Sequence, residues 1–237
     1  MRALTVSGLV AASIALLALL PGDARAQQGE GAPKVRYTVA AMGDSLTDLR
    51  SHGGKYLQLL AEKCPNSRFD SYGIGGQMVN QMRARFERDI LGVPGDPQNP
   101  KPRYTHVIVF GGVNDVCSDE TAKRTPSLIT GDLGTMYESA KRNGIKVIAL
   151  EIAPWGGFKK FYNPRRAAAT RQVNQWIRGQ AAQGLIDAVF DPGSVLTCGE
   201  SDRLCKSLSW KDGLHFNAAG HRKLGEALYQ QYFADCQ

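Results

Sequence analysis

The sequence predicts an α/β fold: a three-layer α/β/α sandwich around a central, mostly parallel sheet of five strands. Short β-rich runs alternate with helical patterns about five times along the chain, and right-handed crossovers between such runs build parallel sheets. The runs over residues 107–110 and 147–150 are apolar throughout, without polar alternation. Continuous apolar runs are typical of strands buried on both faces of a parallel sheet.

The elements follow one another in a regular order. β-rich runs predict strands over residues 35–42, 68–72, 105–110, 146–152 and 186–190. Helical patterns between and after them predict helices over residues 55–63, 79–90, 129–142, 165–180 and 218–233. Residues 91–103, rich in Pro and Gly, predict a loop. The sequence contains no internal repeat and no boundary that would mark a second domain, so we expect a single domain over residues 35–237.

Composition excludes several classes of protein. The 237 residues include 29 Lys and Arg against 22 Asp and Glu, a net charge of +7, and 43% are hydrophobic. This is enough apolar material for a core, which disfavours intrinsic disorder. The cations are scattered and no nucleic-acid-binding motif is present, so we expect no nucleic-acid partner. No P-loop and no H-E-x-x-H motif occurs, and we expect neither a cofactor nor a metal.

The N-terminal segment has the pattern of a signal peptide over residues 1–26. Arg2 precedes an apolar run from Gly8 to Leu20, which is 13 residues long and shorter than the roughly 20 residues that span a bilayer. The small-x-small triplet ending at Ala26 marks the expected cleavage site. Residues 27–34 are small and polar and predict a flexible leader. We therefore expect a secreted or periplasmic protein.

Unusual residues follow the first three predicted strands. Gly43, Asp44 and Ser45 follow the first strand, the pair Gly75–Gly76 the second, and Gly112-Val113-Asn114-Asp115 the third. Ligands of open parallel sheets bind at the carboxyl ends of the strands, where these loops lie. Taken singly, Ser45 could be a helix cap, and Asn114 and the glycine pair could be turn formers. The glycine pair is no dinucleotide fingerprint, because the G-x-G-x-x-G spacing is absent.

Asp212 and His215 are a candidate catalytic pair, in which His215 is the base and the Asp212 carboxylate orients its imidazole ring. Their separation of three residues lets one turn aim the carboxylate at one ring nitrogen while the other nitrogen faces outward. A surface His beside a capping Asp is the alternative. His221 is a second candidate base, although no Asp stands three residues before it.

Four blocks in this order resemble the SGNH, or GDSL, hydrolases, a family of serine esterases and lipases. The blocks extend from Met42 to about Leu224: Gly43-Asp44-Ser45-Leu46, the second-block glycine, Gly112-x-Asn114-Asp115 and Asp212-x-x-His215. The resemblance implies the flavodoxin-like fold of that family. It also implies that Ser45 is the nucleophile, that His215 acts as general base and then acid, and that Asp212 holds the productive tautomer of His215.

The resemblance also implies an oxyanion hole. Its donors would be the backbone N–H groups of Ser45 and Gly76 and the side-chain amide of Asn114. Gly76 is preferred to Gly75 because the glycine of the family precedes a polar residue that opens the next helix, as Gly76 precedes Gln77. Asp44 would have a structural role within its loop.

The expected function is that of a secreted serine esterase that forms an acyl-enzyme. The resemblance implies a small-molecule or polysaccharide ester as substrate, but the family hydrolyses esters and thioesters of many kinds, including acyl lipids, acetylated sugars and aryl esters. An O-acetylated saccharide and a lysophospholipid therefore both stay open, as does a transient contact with lipid or a membrane. The aromatic and cationic side chains of residues 155–166 could line an acyl or sugar pocket or contact an anionic surface. The alternative is an ordinary mobile loop. The alternative from another class is a carbohydrate- or lipid-binding protein on a hydrolase fold, without turnover.

The five cysteines favour disulfides over a metal site. They are Cys64, Cys117, Cys198, Cys205 and Cys236, and no C-x-x-C pair is present. Cys198 and Cys205 enclose a short loop and are the first candidate pair. Two bridges among five cysteines allow 15 arrangements, which stay open. One hypothesis is that Cys117 staples the loop of Asn114.

Overall fold

The computed structural model describes Met1 and residues 35–92, 102–200 and 202–236. The predicted signal peptide beyond Met1, the leader 27–34 and residues 93–101 of the predicted loop lie outside the described residues. The elements below belong to one compact unit, Pro33–Gln237. None of the helices within the described ranges is both long and apolar enough to cross a membrane.

A sheet of five parallel strands forms the centre of the fold, as predicted. Its order is β2-β1-β3-β4-β5, and every neighbouring pair is parallel. This is the doubly wound, flavodoxin-like order, in which the chain reverses direction across the sheet after β2. The strands are β1 (Thr38–Gly43), β2 (Arg68–Gly73), β3 (His106–Phe110), β4 (Lys146–Leu150) and β5 (Ala188–Phe190).

Helices cover both faces of this sheet and make the three predicted layers. They are α1 (Lys55–Lys63), α2 (Val79–Phe86), α3 (Val113–Cys117), α4 (Pro126–Arg142), α5 (Pro164–Ala182), α6 (Gly193–Leu196) and α7 (Ala218–Leu228). Helices α2 and α7 each continue into one π-helical turn, Glu87–Leu91 and Tyr229–Phe233 respectively. The predicted helices 79–90 and 218–233 correspond to these composite segments.

The apolar runs of the sequence serve two cores at once. In β3, Val107 and Val109 pack against α2 and α4, whereas Ile108 and Phe110 pack against α1 and α7. Successive side chains of a strand point to opposite faces, so a strand covered on both faces needs apolar residues at every position. This requirement explains the absence of alternation over residues 107–110 and 147–150.

Two predicted boundaries are wrong for the same physical reason. The first strand begins at Thr38 and not at Val35, because its neighbours β2 and β3 begin opposite Thr38 and Val39. Val35 forms an isolated bridge with Cys236 instead. The fourth strand ends at Leu150, where β5 also ends, and not at residue 152. A run of apolar residues shows where a strand could continue, whereas its extent depends on the length of its partners.

The cysteines form two disulfides, Cys64–Cys236 and Cys198–Cys205. The predicted Cys198–Cys205 pair is therefore confirmed. The hypothesis that Cys117 staples the Asn114 loop is wrong, because Cys117 is a free cysteine. Cys117 packs against the core on the α2 and α4 face of the sheet, whereas Cys64 and Cys236 lie with the core on the opposite face.

Candidate active site

Ser45 lies in a single helical turn that follows β1 directly. The N–H groups of Thr47 and Asp48 both donate to the carbonyl of Asp44, and the Asp44 carboxylate accepts the N–H of Leu46 at 3.0 Å. The first N–H groups of a helical turn lack partners within the turn, and Asp44 satisfies one of them as a capping residue does. The N–H of Ser45 has no acceptor among the described residues.

A glycine before this turn is required by close packing. A Cβ atom on Gly43 would lie 2.4 Å from the Thr47 hydroxyl and 2.9 Å from the carbonyl oxygen of Phe110. Any larger residue would push the turn away from the ends of β1 and β3. The glycine that precedes the motif therefore sets the position of Ser45 relative to the third strand.

The structure brings Ser45, His215 and Asp212 together in one chain of hydrogen bonds. The Ser45 Oγ lies 2.9 Å from the Nε2 of His215, and the Nδ1 of His215 lies 2.7 Å from the Oδ2 of Asp212. The side chains of His215 and Asp212 are each 37% exposed, so the chain of bonds is open to a substrate from solvent. The geometry allows the imidazole to accept the Ser45 proton while the carboxylate stabilises the resulting cation.

A short loop holds Asp212 and His215 in this arrangement. It is closed by an antiparallel bridge between Ser209 and Phe216 and by a bond of 2.8 Å from the Trp210 N–H to the His215 carbonyl. The Asp212 Oδ1 accepts the N–H groups of Leu214 and His215 at 2.9 and 3.0 Å. The three-residue spacing of Asp212 and His215 thus corresponds to one tight turn, whose N–H groups bond to the Asp212 carboxylate.

Hydrogen bonds keep the Asp212 carboxylate charged. Its partial burial raises the pKa of Asp212, but the bonds from the His215 ring and from the two N–H groups lower it by more. The pKa of this carboxyl therefore lies below its ordinary value. Asp212 is ionised across the neutral range, so it can accept the Nδ1–H of His215 and hold the ring in that tautomer.

A glycine contact supports this loop from the neighbouring segment. Gly213, between Asp212 and Leu214, has a φ of 73°, a conformation that favours glycine. A Cβ on it would lie 2.4 Å from the carbonyl carbon of Gly157. The backbone after β4 and the backbone of the Asp212 loop are therefore in direct contact. The sequence reasoning missed this contact, because the two glycines are 56 residues apart.

The predicted oxyanion donors converge on the same edge of the sheet. The N–H of Gly75 donates to the Oδ2 of Asp48 at 2.9 Å, so it is already used. The N–H of Gly76 has no acceptor in the described part of the chain, and Gly76 has a φ of 78°. Of the two glycines weighed from the sequence, Gly76 is thus the one whose N–H is available to a ligand.

The Asn114 amide is oriented by its neighbours. Its Nδ2 donates to the carbonyl of Gln77 at 2.9 Å and lies 3.4 Å from the Oδ2 of Asp44. The first bond uses one of the two amide protons, and the second contact is too long to hold the other strongly. Asn114 therefore presents a donor beside the Ser45 turn, from the first turn of α3.

Asp44 is fully buried, and the pKa of its carboxyl is raised. Burial raises the pKa of Asp44 to about 7, opposed by the bond from Leu46 and by the charge of His215. This supports the structural role expected for it, since its contacts are with the turn and with Asn114 and it has no contact with solvent.

Asp48 joins the first and second loops, and the sequence reasoning missed it. Its carboxylate accepts bonds from the Arg50 guanidinium at 3.0 Å, from the Gly75 and Arg50 N–H groups and from the Ser51 hydroxyl. These bonds lower its pKa to about 2, against the effect of its burial. Asp48 is 4% exposed, and it fixes the loop of Gly76 against the turn of Ser45. In the sequence, only its position three residues after Ser45 indicates that Asp48 belongs to the site.

Arg85, a second residue that the sequence does not indicate, supports the ends of the first two strands. It is 5% exposed, and its guanidinium donates to the carbonyls of Gly43 and Tyr72 and to the side chain of Gln77. These atoms lie at the ends of β1 and β2 and in the loop after β2. Nothing in the sequence of α2 distinguishes Arg85 from its neighbouring arginines, and only the fold shows that it points inward.

Asp115 anchors α3 beneath Asn114. It is fully buried and accepts the Nε of Arg124 at 2.7 Å and the N–H of Val79 at 2.9 Å. Arg124 also pairs with Asp132 on α4 at 2.6 Å. The residue after Asn114 therefore links α3 to the first turn of α2 and to α4.

His221 does not lie in the chain of bonds around Ser45. It is 2% exposed, stacks on Tyr56 and packs edge-on against Phe216. Its Nδ1 has no hydrogen-bond partner among the described residues. Burial lowers the pKa of His221 to about 4, so this histidine is a neutral core residue at physiological pH.

The segment 155–166 contributes both to the core and to the surface. Trp155 is 1% exposed and donates its Nε1 proton to Thr170, so it is not an exposed platform. Phe158 and Phe161 pack against each other and against the core. Lys159 is exposed beside the Asp212 loop. Among the described residues, no group of three His, Cys, Asp or Glu side chains is placed to hold a metal ion.

Comparison with solved structures shows the same fold. A GDSL-like lipase from Bacteroides thetaiotaomicron is 22% identical, with a TM-score of 0.63 over 82% of this chain and 86% of that chain. A catalytic mutant of an acetylxylan esterase from Geobacillus stearothermophilus is 18% identical, with a TM-score of 0.66 over 86% and 99%. A further acetyl xylan esterase is 19% identical, with a TM-score of 0.67 over 83% and 100%. Among curated proteins, no sequence relative is found.

The family model gives a more specific result. The model of the GDSL-like lipase/acylhydrolase family matches residues 41–223, which include all four blocks. This range agrees with the resemblance seen from Met42 to about Leu224, and it covers most of the chain. The chain therefore belongs to the GDSL-like lipase/acylhydrolase family and is a carboxylic ester hydrolase.

Proposed function

We propose that this hydrolase is a serine esterase in which Ser45, His215 and Asp212 form the catalytic triad. The observation that carries the proposal is the continuous pair of hydrogen bonds, 2.9 Å from Ser45 to His215 and 2.7 Å from His215 to Asp212. A Ser hydroxyl is a weak nucleophile until an adjacent base accepts its proton. His215 is the base in direct contact with that hydroxyl.

The reaction then has two halves. The Ser45 Oγ attacks the ester carbonyl as its proton passes to the Nε2 of His215, and His215 returns that proton to the leaving alcohol as the acyl-enzyme forms. A water molecule next attacks the acyl carbon, gives a proton to His215, and releases the acid as Ser45 is reprotonated. Asp212 holds the Nδ1–H of His215 in both halves.

The N–H groups of Ser45 and Gly76 and the Asn114 amide form the proposed oxyanion hole. They are neutral donors that are in place before the reaction, and donors of this kind stabilise the negative oxygen of the tetrahedral intermediate. Both backbone N–H groups lack an acceptor among the described residues, which supports their assignment.

An O-acetylated saccharide is the proposed substrate class. Two similar folds are those of acetylxylan esterases, and the reacting side chains are open to solvent, as a polymeric substrate requires. A lysophospholipid is the competing substrate, and a long-chain preference in the test below would favour it. Binding without turnover, the alternative from another class, would give no activity on any ester.

The test is a panel of p-nitrophenyl esters of increasing chain length, with wild type and Ser45→Ala. We expect hydrolysis by wild type, a preference for acetate, and loss of turnover in Ser45→Ala. Ser127→Ala is the matched control, because Ser127 is exposed on α4 and its variant should match wild type. Turnover that survives in Ser45→Ala would refute the triad.

We also propose that the protein is secreted or periplasmic. The signal-peptide pattern of residues 1–26 and the two disulfides support it, since disulfides persist in oxidising compartments. Mass spectrometry of the protein expressed with its full sequence tests the proposal. A mature N-terminus at Gln27 is expected, and an uncleaved cytoplasmic product would contradict it.

A further inference from the structure

A groove of about 920 Å³ lies against the loop that carries Asp212 and His215. Its walls come from three places: the segment after β4, the disulfide-bonded segment around Cys198 and Cys205, and the residues that precede His215. Gly213 lines it, directly after Asp212 in the chain. We call this feature the basic groove and define it by Lys159, Arg203, Lys206, Trp210, Lys211 and Gly213.

The charge of the basic groove is strongly one-sided. Four cations line it, against a single acidic residue, Glu200. Glu200 pairs with Arg203 at 3.2 Å. Lys159, Lys206 and Lys211 are exposed and form no ion pair with any residue in the described ranges. Three unneutralised cations therefore face one concave surface, and such a surface concentrates anionic ligands.

Trp210 adds an aromatic surface to these charges. It is 54% exposed, although large aromatic side chains are usually buried. Its backbone is fixed on both sides, because its N–H donates to His215 and its carbonyl accepts from Gly213 at 3.1 Å. An indole held in this way offers a flat apolar face to a ligand while the lysines contact the ligand's charges.

The walls of the basic groove are preformed. The Cys198–Cys205 disulfide closes one wall. Asp202 ties this wall to the segment after β4, because its carbonyl accepts the Gly156 N–H at 2.6 Å and its carboxylate accepts the Tyr162 hydroxyl at 2.7 Å. A preformed cleft of this volume is in the range of ligand sites.

We propose that the basic groove binds the anionic sugar units of an acidic polysaccharide, next to the unit that carries the ester. This inference rests on the proposed esterase function and narrows its substrate class to chains that contain carboxylated sugars. The lysines pair with the carboxylates, Trp210 stacks on a sugar face, and the chain passes beside His215 towards Ser45. A concave groove suits a polymer chain better than a flat lipid surface.

Binding without hydrolysis tests the proposal independently of catalysis. Calorimetry measures the affinity of wild type for unesterified hexagalacturonate and for neutral xylohexaose of the same length. We expect hexagalacturonate to bind at least about tenfold more tightly at about 0.1 M salt and to lose this preference at about 1 M, where the Debye length falls to about 3 Å. Equal binding of the two sugars, or none, would overturn the proposal while leaving the triad untouched.

Two triple variants distinguish the effect of the groove lysines on binding from the effect of the protein's net charge. Lys159→Gln, Lys206→Gln and Lys211→Gln together should weaken hexagalacturonate binding about tenfold, since each exposed ion pair contributes only a modest part of the binding energy. The control changes Lys63, Lys141 and Lys146 to Gln; these residues are exposed at the ends of α1 and α4 and at the start of β4, on the opposite edge of the sheet. An equal loss in both variants would contradict a specific groove.

Hydrolysis then links the groove to the reaction. We expect the groove variant to lose kcat/KM on O-acetylated polygalacturonate while it keeps wild-type kcat/KM on p-nitrophenyl acetate. Trp210→Ala should likewise weaken the binding of hexagalacturonate. Binding to anionic phosphatidylglycerol vesicles without binding to hexagalacturonate would instead assign the groove to a membrane surface and overturn the proposal.

Discussion

Asn114 carries a proposed oxyanion donor that a bond to the Gln77 carbonyl holds in place. Asn114→Ala removes one proposed oxyanion donor, and we expect kcat to fall about 10²–10³-fold, as for comparable donors. Asn114→Asp should be worse, because a carboxylate there would face the Gln77 carbonyl and the Asp44 carboxyl and would repel the oxyanion. Steady-state kinetics on p-nitrophenyl acetate measures both. An Asp variant more active than the Ala variant would contradict the assignment.

His221 makes the stability of the protein depend on pH. Its pKa is lowered to about 4 from 6.5, so its contribution to stability is present above pH 6.5 and is lost as the pH falls towards 4. His221→Phe keeps the stack on Tyr56 and removes the titration. Between pH 7 and pH 5, wild type should lose about 2 kcal/mol of unfolding free energy more than the variant does. Urea unfolding at both pH values measures this, and equal losses would contradict it.

The residues of the candidate site fall into two groups, those that a short sequence motif indicates and those that only the folded structure reveals. Asp44, Ser45, Asn114, Asp212 and His215 could be predicted because each sits in a short motif next to a glycine or a partner. Asp48 and Arg85 could not, because their partners are Gly75 and the strand-end carbonyls of Gly43 and Tyr72. Those contacts exist only after the strands have paired, and no residue within the same segment indicates them.

At the scale of elements, the two disulfides should differ in their contribution to stability. Cys64 and Cys236 are separated by 172 positions in the sequence, whereas Cys198 and Cys205 are separated by 7. The chain-entropy model gives about 5 kcal/mol for the long loop and about 2 kcal/mol for the short one. Denaturant unfolding of the double Cys→Ser variants, one for each bridge, measures the difference. A larger loss from the short bridge would contradict the prediction.

The ion pairs of Arg124 and Arg83, both of which contact Asp132 on α4, should contribute unequally to stability. Arg124→Met leaves the fully buried Asp115 carboxylate without its cation, and we expect a loss of about 3–5 kcal/mol. Arg83→Met is the control, because Arg83 pairs with Asp132 from an exposed position and should cost at most about 1 kcal/mol. Thermal and urea unfolding compare the two variants, and a similar cost for both would refute the role of Asp115 as an anchor.

The helices that the sequence did not predict are the shortest ones. Helices α3 and α6 have five and four residues, too few for a periodic apolar pattern to be visible. Helix α4 begins at Pro126, before the predicted residue 129, because Thr125 caps it and proline occupies its first turn. Periodicity shows where a helix packs, whereas its first turn is set by the cap.

At the scale of the whole molecule, the parallel sheet explains why distant motifs meet. All five strands run in one direction, so the loops after β1, β2 and β3 leave from the same edge. The strand order brings β1 between β2 and β3, which places the turn of Ser45 between the loops of Gly76 and Asn114. The Asp212 loop reaches this edge by its contact with the segment after β4. The architecture could be predicted because the continuous apolar runs of β3 and β4 indicate burial on both faces of the sheet. The path of the Asp212 loop could not, because it depends on a backbone contact that no local pattern encodes.

The central claim is that Ser45 is the nucleophile, and covalent labelling tests it most directly. Diisopropyl fluorophosphate phosphorylates an activated serine, because the Oγ attacks phosphorus, fluoride leaves, and the adjacent base takes the proton. We expect one adduct per chain on the peptide that contains Ser45, with loss of esterase activity in proportion to labelling, and no adduct there in His215→Ala. Inactivation with the adduct on another residue, or unchanged labelling in Ser45→Ala, would contradict the account.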